Sequence, residues 1–139
     1  MNVFADDTGL EVEELGGRPG VHSARFAGET RDFKANVLKV LQLMEGKKNR
    51  KARFKTIIAL ILDNREYLFE GLAEGVILDR PAGTGGFGYD PVFLPDGFNK
   101  SFAEMSLDEK SKISHRAVAF EKLRKFLLNE NLPDNNLNC

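Results

Sequence analysis

Two apolar-rich runs separated by a tight-turn sequence constrain the fold of this chain most. The first run spans residues 52–62, residues 63–65 read Asp-Asn-Arg, and the second run spans residues 66–78. β-Branched and aromatic residues favour strands, and Asp-Asn favours a hairpin turn. The middle of the chain is therefore predicted to form a long antiparallel hairpin. Gly71, inside the second run, predicts a bulge or the close approach of another backbone.

The N-terminal segment predicts a strand, a turn and a loop. Residues 3–5 have the character of the end of a buried strand, and the polar residues 6–9 are expected to stop it in a turn. Residues 11–15 predict a short strand or a helical turn, and the glycine-rich residues 16–20 predict a loop. The chain thus begins inside a predicted strand, which is unusual for an intact domain.

Helices are predicted on both sides of the hairpin. The first runs from Arg31 to Met44 with Thr30 as its N-cap, a short one follows Ser106, and the last runs from a Ser114 cap to about residue 128. A short strand is predicted at residues 92–94. The fold class is thus α/β, one domain over residues 1–139, with an elongated mixed β-sheet flanked by helices. The predicted buried faces are Phe33, Val37, Val40, Leu41 and Met44 of the first helix, and Ala117, Phe120, Leu123 and Leu127 of the last.

Composition narrows the functional classes. The net charge is −1, with 20 basic and 21 acidic residues, which argues against a protein that coats nucleic acid. No apolar run reaches the roughly 18 residues that a membrane span needs, and the first residues lack the pattern of a signal peptide. Cys139 is the only cysteine. An internal disulfide is impossible, which fits a cytoplasmic protein.

The first candidate site is Asp6-Asp7-Thr8-Gly9, directly after the first strand. Open α/β sheets bind ligands at the carboxyl ends of their strands. Adjacent strand residues face opposite sides, so only one of the two aspartates is expected to enter the site. Such a carboxylate could hold Mg²⁺ or accept a proton from an attacking water. The alternative is that both residues simply cap a turn.

The second candidate is the glycine-rich stretch over residues 83–91. Its four glycines allow a ligand to approach the backbone, Phe87 and Tyr89 are able to stack on a planar base, and Asp90 can accept hydrogen bonds from base N–H groups. No GK[ST] sequence follows the glycines, so this is not a Walker A loop. The alternative is a flexible loop whose aromatic rings are buried in the core.

The third candidate is the segment over residues 110–116. Lys110, Ser114 and His115 fall near one side of a helix, and His115-Arg116 place donors at the start of the last helix. That combination favours a phosphate or a base carbonyl. The alternative is a solvated, charged helix start. His22 is expected to be structural or exposed.

These three segments, in this order, resemble the inosine-triphosphate pyrophosphatase family, whose members hydrolyse non-standard purine nucleoside triphosphates to the monophosphate and pyrophosphate. The likeness extends from about residue 3 to residue 128. The segments that carry it are Ala5 to Val12, Gly17 to Gly28, Gly85 to Phe93, Phe102 to Met105 and Lys110 to Arg116.

The resemblance implies a role for each matching position. It makes Asp7 the proton acceptor and metal ligand, with Mg²⁺ as the cofactor, and it makes His115 and Arg116 donors to a 6-oxo purine, as in ITP, dITP and XTP. It also implies a homodimer. The substrate-binding residues that it implies are Thr8, Phe87, Gly88, Tyr89, Asp90, Lys110, His115 and Arg116.

The chain also departs from the family pattern. Members open with a strand and a glycine-containing loop carrying Thr or Ser, Asn and Lys for the phosphates, followed by a metal-binding Glu, and these 139 residues contain neither. His22 stands where an aromatic residue is usual. Two alternatives therefore stay open: a catalytically inactive nucleotide-binding relative or fragment, and a nucleotide phosphohydrolase with a different base preference.

Overall fold

The computed structural model describes residues 3–29, 32–86 and 88–130, which form a four-stranded sheet and three α-helices. The sheet order is β1-β2-β3-β4, and every pairing is antiparallel. The α/β class with a long hairpin is confirmed, and the sheet of the described residues is antiparallel where a mixed sheet was expected. The elements are β1 (Val3–Val12), α1 (Phe33–Met44), β2 (Lys51–Leu62), β3 (Arg65–Ile77), β4 (Phe93–Pro95), α2 (Leu107–Ile113) and α3 (His115–Glu130).

The predicted hairpin is formed by β2 and β3. Asp63 and Asn64 make its turn with φ angles of 52° and 68°, which Asp and Asn tolerate better than most residues. The register is unbroken across Thr56 and Gly71, so Gly71 is not a bulge. A Cβ at Gly71 would collide with the carbonyl oxygen of His115. The alternative prediction, a close backbone approach, is therefore the right one.

The predicted turn at residues 6–9 is wrong, because β1 continues through it to Val12. All ten residues of β1 pair with β2, from Val3 opposite Ile61 to Val12 opposite Ala52. This ladder satisfies backbone groups that a turn would leave to water, and it outweighs the local turn preference of Asp and Gly. The two aspartates consequently lie in the middle of a strand, at the edge of the sheet that the described residues form, rather than at a strand end.

Helix α1 begins at Phe33, where the Asp32 side chain accepts a hydrogen bond from the Ala35 N–H at 3.1 Å. Thr30 and Arg31, the predicted cap and first residue, lie outside the described residues. The expected apolar face of α1 is buried at Val37, Val40 and Met44, whereas Phe33 is 40% exposed.

Helices α2 and α3 begin at the predicted serine caps. The hydroxyl of Ser106 accepts from the Glu109 N–H in a reciprocal capping box, and the Ser114 hydroxyl accepts from the Ala117 N–H at 3.1 Å. The face of α3 that packs against β2 and β3 is centred on Ala119 and Leu123. Ala117 is only half-buried, because its position on the helix is turned away from the sheet.

The buried apolar residues form two clusters. The larger contains Leu10, Phe54, Phe93 and Phe102, and the smaller lies beneath α3 and includes Ile58 and Leu60. The side chain of Phe54 stacks on His115, the first residue of α3, and so connects the larger cluster to that helix. Among the described residues, no helix combines the length and apolar character that crossing a membrane requires.

Candidate functional site

A cavity of about 500 Å³ opens where β1, the start of α1, residues 88–90 and the junction of α2 with α3 meet. The sequence segments that line it are separated by up to a hundred residues and converge only in the fold. Phe87 lies outside the described residues. The other predicted site residues all border this cavity: Asp7, Thr8, Gly88, Tyr89, Asp90, Lys110, His115 and Arg116.

Strand β1 contributes both of its aspartates to the wall. Asp6 and Thr8 share the face that meets α3: the Asp6 carboxylate pairs with Arg116 at 2.9 Å, and the Thr8 hydroxyl lies 2.8 Å from that of Thr56. Asp7 lies on the opposite face by strand alternation, yet it also borders the cavity. Both aspartates thus border the cavity, and which of them enters a ligand site stays a prediction.

Tyr89 is a buried residue of the cavity wall. Its side chain is 4% exposed, and its hydroxyl donates a hydrogen bond to the Ser23 carbonyl oxygen at 2.7 Å. Burial raises the pKa of the Tyr89 hydroxyl, which therefore stays protonated and remains a donor. The Ser23 hydroxyl in turn accepts from the Leu10 N–H at 2.9 Å. These bonds join residues 88–90 to β1, and Tyr89 belongs to the core more than to the open cavity.

Asp90 and Lys110 form a largely buried ion pair. The Lys110 Nζ lies 2.5 Å from the Asp90 carboxylate, and the two side chains are 19% and 5% exposed. The same ammonium group lies 5.4 Å from the centre of the Phe102 ring. Gly86 has a φ of +65°, and a Cβ there would collide with the Asp90 carboxylate. The glycine-rich sequence thus makes room for the pair that connects this loop to α2.

His115 is a neutral donor and acceptor at the inner end of the cavity. It is 7% exposed and stacks on Phe54 with ring centres 4.6 Å apart. Burial, followed by the charges of Lys110 and Arg116, lowers the pKa of His115 to about 4. Its Nδ1 is buried and has no hydrogen-bond partner among the described residues. A buried polar atom without a partner beside a cavity is one that a ligand can satisfy.

The acidic residues of the cavity would supply only a few ligands to a metal ion. In the described part of the chain, no group of three or more His, Cys, Asp or Glu side chains is arranged to hold a metal ion. Mg²⁺ is commonly held by one or two carboxylates plus substrate phosphates and water. The carboxylate of Asp7 therefore fits an ion that arrives with a phosphorylated ligand.

The cavity also contains residues that the sequence reasoning did not single out as site residues. Asp6 was weighed with Asp7, but its pairing with Arg116 depends on the β1–α3 contact. Phe33 was assigned to the core by helical periodicity, and Leu107 and Ser23 gave no signal at all. Only the tertiary arrangement of the four segments that carry them brings these side chains to the wall.

Comparisons with known proteins agree on one family. A sequence profile of the Ham1 family matches residues 1–126. The chain is 57% identical over 124 residues to the dITP/XTP pyrophosphatase of Christiangramia forsetii, covering 89% of this chain and 65% of that protein. It is also 57% identical over 128 residues to that of Caldanaerobacter subterraneus, covering 91% and 64%. The chain thus spans about 65% of the length of these relatives.

A solved structure shares the fold at similar coverage. The Ham1 protein of Staphylococcus aureus superposes with a TM-score of 0.91 at 40% identity, covering 94% of this chain and 68% of that one. This chain is therefore similar to that protein in sequence as well as in fold.

Proposed function

Because this chain belongs to the Ham1 family, we propose that its cavity binds non-standard purine nucleoside triphosphates and hydrolyses them to the monophosphate and pyrophosphate. The substrates are ITP, dITP and XTP. One observation carries the proposal: residues from β1, the glycine-rich loop and the α2–α3 junction converge on a single cavity. The two relatives named dITP/XTP pyrophosphatase support the substrate class.

Base selection rests on the donors at the α3 start. A neutral His115 offers one N–H donor, and the Arg116 guanidinium offers several. Both suit the carbonyl oxygen of a 6-oxo purine. The 6-amino group of adenine would point its own N–H groups at these donors, which leaves the donor of the buried His115 unpaired. Thr8, Lys110 and the loop from Phe87 to Asp90 complete the substrate contacts.

Hydrolysis needs a base beside the phosphate chain, and Asp7 is the residue proposed for it. A water oxygen attacks the α-phosphorus while Asp7 accepts a proton from that water, the α–β bridging bond breaks, and pyrophosphate leaves. Asp7 would also hold Mg²⁺, which when bound offsets the triphosphate charge and polarises the bond to be cleaved. The cations of the cavity, Lys110 and Arg116, are paired with Asp90 and Asp6, so a bound cation would have to offset much of the triphosphate charge.

The proposal also covers the domain organisation, location and partners of the enzyme. It is a single domain over residues 1–139, acts in the cytoplasm, forms a homodimer and has no nucleic-acid partner. The near-balanced charge of −1 supports the last of these.

The test is pyrophosphate release from ITP with Mg²⁺, with ATP as the comparison substrate. We expect ITP-selective release, loss of at least a hundredfold in Asp7→Asn because a general base typically contributes that much, and no loss in Asp96→Asn, whose side chain lies outside the cavity. Near-normal turnover of Asp7→Asn would remove Asp7 from its role. IMP binding without turnover by a folded wild-type chain would favour the inactive nucleotide-binding alternative.

A further inference from the structure

Two large apolar side chains stand exposed at the mouth of the cavity. Phe33 is 40% exposed and Leu107 is 86% exposed, and both border it. Single exposed apolar residues are common on protein surfaces. Two of them, contributed by different helices to one cavity that also holds polar groups, form the kind of surface that ligand sites use.

The start of helix α1 fixes the position of Phe33. It is the first residue of α1, and the Asp32 cap fixes the start of that helix. A Cβ at Gly88 would lie 3.9 Å from the Phe33 ring, at ordinary van der Waals distance, so the ring lies next to the glycine-rich loop. The ring thus lies beside residue 88 and keeps part of its surface exposed at the cavity.

We propose that Phe33 is a wall on which the planar base of the nucleotide stacks, with Leu107 adding an apolar contact from α2. The inference rests on the proposed function in one respect: the ligand is taken to be a purine nucleotide. Aromatic rings bind bases through stacking that is insensitive to base identity. Phe33 thus supplies affinity, while His115 and Arg116 supply the choice of base.

The chain contains no tryptophan, so a single introduced tryptophan reports on its own surroundings. Phe33→Trp places that reporter at the cavity mouth. Leu38→Trp is the matched control, because Leu38 is 56% exposed on the same helix and does not border the cavity. Each variant is titrated with IMP and, separately, with ribose 5-phosphate, which lacks the base.

We expect IMP to quench the fluorescence of Phe33→Trp and to leave that of Leu38→Trp unchanged, with no quenching of either by ribose 5-phosphate. Calorimetry should show IMP binding weakened at least fivefold in Phe33→Ala, as the loss of a stacking partner predicts. Phe33→Tyr keeps an aromatic ring and should bind IMP about as tightly as the wild-type protein.

The outcomes separate the two proposals. If wild-type protein binds IMP and turns over ITP, but quenching is absent or equal in the two tryptophan variants, the stacking role of Phe33 is refuted and the proposed function stands. If IMP quenches Phe33→Trp selectively while ITP is not hydrolysed, the stacking role stands and the proposed catalysis fails. Absence of any IMP binding by folded wild-type protein overturns both.

Discussion

Acidification should destabilise this protein through His115. The unfolded chain carries an ordinary histidine with a pKa near 6.5, whereas burial beside Lys110 and Arg116 lowers the pKa in the folded state to about 4. Between these values the unfolded state binds more protons, so stability is lost as the pH falls. From the two pKa values, His115 alone removes about 2 kcal/mol of unfolding free energy by pH 5, relative to neutral pH.

Urea denaturation at pH 7.5 and pH 5 measures this loss. His115→Gln keeps a planar polar group but does not titrate, so its stability should fall by about 2 kcal/mol less than that of wild type over the same interval. His22 is the other histidine and is exposed. His22→Gln is therefore the matched control, and it should retain the wild-type loss.

The comparison between variants is decisive because carboxylates also titrate towards pH 4 and contribute to acid unfolding in every variant. Their contribution cancels when the pH-dependent losses of wild type and His115→Gln are subtracted. An equal loss in the two proteins would mean that His115 is solvated in the folded state, which would contradict its burial against Phe54.

Two further predictions concern stability. Gly71→Ala should cost about 3 kcal/mol or more in thermal or urea unfolding, because its Cβ would overlap the α3 backbone; Gly28→Ala, which has open space around it, should cost less than about 1 kcal/mol, and equal costs would contradict the close approach. Asp90→Asn should cost about 3 kcal/mol by leaving Lys110 buried beside a neutral partner. The double variant Asp90→Asn/Lys110→Met should recover part of that loss in urea denaturation, and purely additive losses would show that the two groups are not coupled.

Local sequence was sufficient where local forces decide the structure. The hairpin follows from two β-favouring runs and a turn of Asp63 and Asn64, whose positive φ angles suit those residues. The caps of α2 and α3 follow in the same way from Ser106 and Ser114, because a serine hydroxyl satisfies the free N–H groups of the next turn.

Non-local contacts explain the failures. Residues 6–9 have a local preference for a turn, but they pair with β2 as part of a ten-residue ladder. Their partners in β2 lie more than forty residues away in the sequence. Phe33 fits the apolar period of α1, yet it is 40% exposed and borders the cavity. Periodicity identifies which face of a helix is apolar, and only the tertiary arrangement decides whether the end of that face meets core or cavity.

The candidate site also depends on contacts that local sequence does not reveal. Nothing in the spacing of Asp7, Asp90 and His115 brings them together, since they lie on three distant segments. The family resemblance grouped them, and the fold places them around one cavity. Their chemical roles stay predictions, because position alone does not identify which carboxylate accepts a proton.

If the proposed function holds, the buried nitrogen of His115 would affect both the stability of the fold and the selection of the base. An unpaired buried polar atom costs about 1–3 kcal/mol in the ligand-free protein, and a ligand that supplies a complementary partner recovers that cost on binding. A ligand that cannot do so leaves the atom unpaired and displaces solvent as well. Because the imidazole is neutral near pH 7, the proposed selection among purines would depend on hydrogen-bond complementarity at His115 rather than on its charge. Burial against Phe54 is thus the cause of the low pKa that weakens the fold in acid, and in the proposed site it would also hold the neutral imidazole of His115 in place beside the base.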